Sequence, residues 1–400
     1  MFPVEYSADS NRPERSPVSS LSGEGSADDR RWMQQAIDLS TQALYVTSPN
    51  PRVACLIVQE GQVLASGVTQ AAGGPHAEVM ALRQAIERGH EVAGSTVYVT
   101  LEPCSHYGRT PPCVDALIKA RPARVVVAMS DPNPLVSGKG IARLQAAGIH
   151  VLSSVCLAEA LAVNPGFVAR MTRKTPWVWL KAGVSLDGRT GLHNGLSQWI
   201  TGPQARADGH HWRARSCVVL TGMGTVQADN PLLNVREVST ARQPIKAVVD
   251  SLFNIDENAR LFDGTKTWVF TCRPNAAKAA RLARRNVQVI ELPELDGHVS
   301  LKALMRWLGE HEINEVHVEA GAGLNGALLQ AGCVDELLVY MAPMVLGDAV
   351  GMFGLPALDH LEHAARFEFI DVASVGADIR LRARLADRWL ALLRAVSAGR

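Results

Sequence analysis

Hydrophobic positions along this chain change period repeatedly, and the changes divide it into two series. From Asp28 the apolar residues Trp32, Met33, Ala36, Ile37, Ala43 and Leu44 recur at three- and four-residue spacing, which predicts an amphipathic helix. The turn Ser48-Pro49-Asn50-Pro51 ends it. Val53–Val58 reads as a buried strand, and the Glu60-Gly61 turn with Val63–Ala65 predicts a hairpin. A helix from about Pro75 to Arg88, a strand at Val97–Leu101, a helix over Cys113–Ala120 and a strand at Val125–Met129 follow. This alternation predicts an α/β fold, a sheet layered with helices on both faces.

The pattern changes between His150 and Pro176. Leu157–Arg170 reads as one helix, and Thr172-Arg173-Lys174-Thr175-Pro176 as a polar link. A second series begins at Trp177, with strands at Trp177–Val184, Cys217–Thr221, Ile245–Asp250, Thr267–Thr271, Val287–Ile290, Glu315–Ala320 and Glu336–Met341. Helices near Pro203–Arg215, Ala276–Arg284, Ser300–His311 and Ala322–Ala331 separate most of them. The expected boundaries are a disordered tail over 1–27, a first domain over 28–150, a linker helix within 151–175, a second domain over 176–388 and a C-terminal tail over 389–400. Four hundred residues exceed one core, so at least two domains are expected.

Composition narrows the function classes. Apolar residues make up 47% and charged residues 20%, as in a packed globular chain. Forty basic against thirty-nine acidic residues give +1, which argues against a wide nucleic-acid footprint and leaves room for a small anionic substrate. Seven irregularly spaced cysteines do not suggest a disulfide framework. No apolar run approaches a membrane span. A cytoplasmic location is the expectation, because thiolate ligands need a reducing compartment.

The chemistry concentrates in two short strings, Pro75-His76-Ala77-Glu78 and Pro103-Cys104 followed by Cys113. One imidazole and two thiolates make a zinc ligand set with a fourth position left for water. Cys113 opens a helix, whose N-terminus favours a thiolate. Glu78 stands two residues from His76, off its helical face but within reach of that water, as the proton carrier. Asn50 is placed to hydrogen-bond a heterocycle. Singly, a His or a pair of Cys is more often structural. Together, in this order at helix and strand starts, they point to a deaminase; a closed structural zinc site normally uses four protein ligands.

The second half offers anion-binding turns. Lys181, Ser185 and Asp187 fall at a strand's C-terminal end, where open α/β sheets bind ligands. Thr221-Gly222-Met223-Gly224-Thr225 and Glu319-Ala320-Gly321-Ala322-Gly323-Leu324-Asn325-Gly326-Ala327 each end a strand in glycines and present backbone or a helix start. Such turns alone indicate a dinucleotide only weakly, and they carry no hydride chemistry.

Together the strings resemble the bifunctional riboflavin-biosynthesis deaminase–reductases, over roughly Asp28 to Asp387. The resemblance rests on Pro49-Asn50-Pro51, Pro75–Glu78, the run Thr100-Leu101-Glu102-Pro103-Cys104-Ser105-His106-Tyr107-Gly108-Arg109-Thr110-Pro111-Pro112-Cys113, Asp131-Pro132-Asn133-Pro134, Ser185–Thr190, Ser197–Thr201, Thr221–Asp229 and Val318–Leu328. It implies a cytidine-deaminase-like three-layer domain followed by a dihydrofolate-reductase-like domain, with Zn²⁺ and NADPH as cofactors. It implies hydrolytic deamination of a phosphoribosylaminopyrimidine, then hydride delivery to C1′ of the opened ribosyl group. By motif position it implies His76, Cys104 and Cys113 as metal ligands and Glu78 as the catalytic acid. Gly183, Trp199, Thr225, Asp229, Ser251, Gly321, Ala322, Gly323, Leu324, Asn325, Gly326 and Ala327 fall where the family contacts NADP. Ser197, Arg213, Leu233, Arg236 and Glu319 fall where it contacts substrate, and Arg213 and Arg236 suit a phosphate.

Ala54 stands where the family usually has Gly, and Asn230 where it usually has Asp. The reductase proton donor stays open between Lys181 and Asp187. Two other readings are a nucleoside or tRNA-base deaminase fused to an inactive dinucleotide fold, and a zinc-stabilised binding module. A homo-oligomer is expected.

Overall fold

The computed structural model describes residues 25–107, 111–133 and 136–397. The tail expected over 1–27 lies, as far as residue 24, outside the described residues, and so do positions 108–110 and 134 of the quoted motifs. Ser26 and Ala27 already belong to the first helix, Ala27–Ser40. Ser26 and Asp29 satisfy each other's backbone N–H groups there in a capping box. Asp29 also accepts from Tyr98 and Arg124, which ties the helix to the sheet behind it.

The first sheet has five strands in the order Gln62–Val68, Ala54–Gln59, Thr96–Val99, Arg124–Val127, His150–Leu152. The first three run antiparallel to their neighbours and the last three parallel. Ala54–Gln59 is buried along almost its whole length, as its unbroken apolar run requires. Helices Ala77–Glu87 and Cys113–Ala120 follow strands and carry the metal-ligand strings.

The linker expectation needs correction. Leu157–Arg170 is two helices, Leu157–Val163 and Pro165–Arg173. Pro165 has no N–H to continue the first helix and is well placed to start the second. Both lie in the first core, where Leu157, Leu161, Phe167 and Val168 are buried. The C-terminal segment, read from the sequence as a helical stretch over Asp387–Ala398 and set apart as a tail, is the helix Ala386–Val396, whose Trp389, Leu392, Leu393 and Val396 return to that core. Trp389 meets Trp177 edge-on at 6.2 Å. The apolar spacing Trp389, Leu392, Leu393, Val396 explains why this segment cannot stay in water.

The second sheet has nine strands in the order Val287–Glu291, Thr267–Thr271, Ile245–Val249, Val218–Gly222, Glu315–Glu319, Trp177–Ser185, Glu336–Ala342, Asp378–Arg384, Glu368–Val375. Seven are parallel, and the last two form an antiparallel hairpin at one edge. The hairpin and the short helices Lys139–Ala146 and Met223–Asp229 were not expected from the sequence. Parallel register sets Glu319 opposite Lys181, so the central strands end on one shared edge. That edge bears the larger of two cavities among the described residues.

The halves meet through a buried ion cluster. Arg52 of the first half and Arg215 of the second both bind the fully buried Glu315 carboxylate, at 2.6 and 3.0 Å. Among the described residues no helix is long and apolar enough to cross a membrane.

Candidate active sites

His76 is the N-cap of helix Ala77–Glu87, one position earlier than a first helical residue. Cys113 is the first residue of its helix, as the sequence implied. Cys104 sits in the loop after strand Thr96–Val99. Three contacts close the triangle. His76 Nδ1 lies 3.6 Å from Cys104 Sγ and 3.3 Å from Cys113 Sγ, and the Cys113 backbone N–H donates to Cys104 Sγ at 3.3 Å. Their ligand atoms all lie within 4.8 Å of one another. Glu102 fixes the loop from behind: its carboxylate accepts from the N–H groups of Asp131, Gly138, Gly140 and Ile141. Gly140 is required in that contact, because a Cβ there would sit 2.2 Å from the Pro103 carbonyl oxygen.

The electrostatics favour a cation. Hydrogen bonds from the Cys113 thiol and from His76 outweigh burial and pull Cys104 down to about 4. The Cys104 neighbour, burial and the Glu78 charge push Cys113 upward. Burial, then the Cys104 thiolate, lifts Glu78 to about 7. A second thiolate at Cys113 is disfavoured beside the Cys104 thiolate and the Glu78 carboxyl, and a divalent cation would offset that repulsion. With two sulfurs and one nitrogen within reach, the donor set fits zinc with a position left open. The cavity beside it measures about 330 Å³, and Asn50, Glu78, His106, Asp131 and Asn133 line it.

The second cavity, about 700 Å³, opens at the C-terminal edge of the nine-stranded sheet. Arg213 makes a paired contact with Glu319 and donates to the Asn234 carbonyl at 2.9 Å, which leaves two N–H groups for a ligand. Burial would raise Glu319, but Arg213 and His317 hold its carboxyl well below the usual range. Burial pushes Lys181 down against the pull of Glu319. His210 is driven to about 4 by burial and by the positive charges of Arg213 and Arg236. Trp199 is 64% exposed, with the Arg206 guanidinium 4.3 Å from its ring.

The cavity fits a dinucleotide. Gly321 and Ala322 bring the start of helix Ala322–Gln330 to its wall, and Gly224 leaves open space where a side chain would stand. Thr225 Oγ1 accepts from the Gly321 N–H at 3.1 Å and joins the two glycine turns.

Comparison with known proteins finds a match for each half. Residues 26–129 match the cytidine and deoxycytidylate deaminase zinc-binding region, and residues 176–381 match the RibD C-terminal domain. The riboflavin biosynthesis protein RibD of Escherichia coli is 46% identical over 367 residues, 88% of this chain and 98% of its own length. The chain belongs to the RibD family. A solved Acinetobacter baumannii RibD is 43% identical at a TM-score of 0.80, covering 89% of this chain and 98% of its own. The Thermotoga maritima diaminohydroxyphosphoribosylaminopyrimidine deaminase/5-amino-6-(5-phosphoribosylamino)uracil reductase is 31% identical at a TM-score of 0.80, with the same coverage. As a member of this family, the chain is a bifunctional enzyme of riboflavin biosynthesis, a zinc deaminase and an NADPH-dependent reductase acting on a small pyrimidine. The RibD reductase match over the second half disfavours an inactive fold there.

The residues expected in the RibD reductase site divide in two. Gly183, Ser197, Trp199, Arg213, Thr225, Asp229, Leu233, Arg236, Glu319, Gly321 and Ala322 share one cavity. Ser251, Gly323, Leu324, Asn325, Gly326 and Ala327 lie off its wall. Ser251 Oγ accepts from the Val299 N–H. Asn325 is buried and donates to the Ala320 and Met352 carbonyls. A Cβ on Gly326 would stand 2.2 Å from the Gly354 oxygen, so this glycine serves chain packing. Asp187 also lies off the wall and holds the Leu346 and Gly347 N–H groups, whereas Lys181 lines the cavity. Asn230 caps helix Met223–Asp229 in a left-handed conformation, which Asn tolerates well.

Arg206 and His210 were missed. With Gly209 and Arg213 they follow the spacing i, i+3, i+4, i+7 along helix Pro203–Arg215, and all four line the cavity. That spacing was present in the sequence as a polar stripe.

Proposed function

We propose that this chain deaminates 2,5-diamino-6-(5-phosphoribosylamino)pyrimidin-4-one and then reduces the ribosyl product to 5-amino-6-(5-phosphoribitylamino)uracil. The observation that carries the first step is Glu78, buried beside the triangle of His76, Cys104 and Cys113. These three residues would hold zinc, whose chemistry at the open position is to acidify a water molecule. Glu78 would take the proton of the attacking water and return it to the departing nitrogen, since its buried carboxyl lines the cavity beside the triangle. Asn50 orients the pyrimidine at the cavity mouth.

In the second cavity NADPH supplies hydride. The Thr225 hydroxyl and the helix start at Ala322, set by the Gly321 turn, would hold its phosphates, and Trp199 and Asp229 would flank it. Lys181 Nζ, beside Glu319, holds the proton needed at the ribose ring oxygen as the sugar opens. Arg213 uses its two remaining N–H groups, with Arg236, on the substrate phosphate. Ser197 and Leu233 complete the substrate wall.

A cytoplasmic location is supported by seven cysteines that are all free. A homo-oligomer is supported by Phe369 and Val372, 70% and 61% exposed on the edge hairpin. The near-neutral charge of +1 supports a partner that is not nucleic acid. The test is direct. The purified chain, given the phosphoribosylaminopyrimidine and NADPH, should carry zinc, release ammonia and then oxidise NADPH. Oxidation of NADPH on the un-deaminated pyrimidine, with no ammonia released, would reverse the proposed order.

A further inference from the structure

The deaminase cavity is not walled by the first half alone. Phe167, Arg170 and Met171 from helix Pro165–Arg173 line it, and so does Glu312 from the second half. Two residues past Glu312, the buried Asn314 reaches back into the first half. Its Nδ2 donates to the Pro49 carbonyl at 2.9 Å, and its Oδ1 accepts from Arg170 Nε at 2.6 Å. Arg170 Nη2 donates to the same Pro49 carbonyl at 3.3 Å. One carbonyl of the turn thus receives two donors from outside its own sheet.

A second grip lies three residues on. The Arg52 N–H donates to Asn164 Oδ1 at 2.8 Å, and the Arg52 guanidinium holds Glu315 at 2.6 and 3.1 Å. Asn50 and Pro51 are strung between these two anchors and line the deaminase cavity. Asn314 and Glu315 supply one partner to each anchor, and both belong to the second half. A turn held at both ends keeps its side chain in place at little entropic cost on binding.

We infer that Asn314 is a positioning residue of the deaminase: from the reductase half it fixes the Pro49 carbonyl and so sets Asn50 against the pyrimidine. This rests on the deaminase reading and extends it. Its consequence is that the first half needs the second for substrate binding as well as for stability.

The test uses the full-length chain and follows the two activities separately, the reductase on the already deaminated substrate. Asn314→Ala should raise KM for ammonia release about tenfold, one hydrogen bond's worth, with kcat changed by less than about threefold. Asn314→Asp keeps the size and the bond from Arg170 but sets an acceptor against Pro49, so its KM should rise at least as far. Zinc content and NADPH oxidation should stay within about twofold of the parent in both variants. In an Asn50→Ala background, Asn314→Ala should add less than about twofold. An unchanged KM in both variants overturns the inference. So does a parallel fall of both activities, or a full tenfold cost without Asn50. The parent chain is the control: if it releases no ammonia, the deaminase reading fails instead.

Discussion

The two cavities are assembled in opposite ways. The smaller one, about 330 Å³, takes its three donor atoms from the starts of two helices and the loop between them, residues 76 to 113. The larger one, about 700 Å³, takes its wall from segments spread between Lys181 and Val350: strands Trp177–Ser185 and Glu315–Glu319, helix Pro203–Arg215 and the loops beside them. A metal site needs a few atoms at short range, so local chain geometry can specify it. A dinucleotide site needs a long surface, which only the finished sheet provides. The contrast predicts that the two activities separate cleanly under mutation, except where the halves share structure.

The largest expected effect is at the metal. Cys113→Ala should remove zinc and abolish ammonia release while NADPH oxidation on the deaminated substrate persists, because nothing in the second cavity touches Cys113. Metal analysis beside both assays checks this. Retained zinc at full stoichiometry would mean that the triangle is not the binding site.

Arg213→Ala should act in the other direction. It leaves Glu319 buried without its paired partner, which typically costs about 3–5 kcal/mol, and it would remove the phosphate contact proposed for Arg213. NADPH oxidation should fall at least about a hundredfold, with ammonia release unaffected. Equal loss of both activities would remove Arg213 from the reductase.

Trp389→Ala sharpens the comparison by attacking shared structure. Trp389 comes from the last helix yet packs in the first core against Trp177. A large-to-small change of this kind costs about 3–5 kcal/mol. Thermal inactivation of ammonia release should then shift down at least as far as that of NADPH oxidation. A stable variant with normal deamination would make the helix an appendage after all.

The smallest effect is on acid stability. Burial alone would raise Glu315, but Arg215 and Arg52 together outweigh it and hold it at about 2, against an ordinary 4.5. A carboxyl depressed on folding stabilises the native state above its unfolded value, and that contribution is lost as pH falls from 4.5 towards 2. An acid titration followed by tryptophan fluorescence should show the halves loosening in that window. Glu315→Gln should be less stable at neutral pH and should show a flatter acid dependence. An identical acid profile would remove Glu315 from the interface energetics.

Much of this was legible in the chain. The strings around His76, Glu78, Cys104 and Cys113 lie together in the fold as a candidate metal triangle, because helix starts and strand ends can be read locally. The seven parallel strands were legible as apolar runs. The edge hairpin was not expected, although Ile379, Leu381 and Ala383 alternate with Arg380, Arg382 and Arg384 in its second strand. Its first strand, Glu368–Val375, is apolar at Phe369, Ile370, Val372, Ala373 and Val375 but in no regular alternation, and its pairing shifts register between Phe369 and Asp371. The C-terminal helical stretch had no assignable role in the sequence, because its apolar face only makes sense against Trp177 and a core more than 200 residues earlier. Glycine runs misled in a specific way: in the stretch 321–327 the first two residues face the cavity, while Gly326 serves a backbone crossing at Gly354. Spacing alone cannot tell a ligand cradle from a close approach of chains. Asn314 was invisible for the same reason, since its partners are Pro49 and Arg170.

The most direct measurement is on Glu78→Gln in the full chain, following zinc, ammonia and NADPH together. The account predicts full zinc, ammonia release lowered by at least about a hundredfold, and unchanged NADPH oxidation on the deaminated substrate. Ammonia release at the parent rate would contradict it, because the buried carboxylate beside the His76–Cys104–Cys113 triangle would then carry no proton.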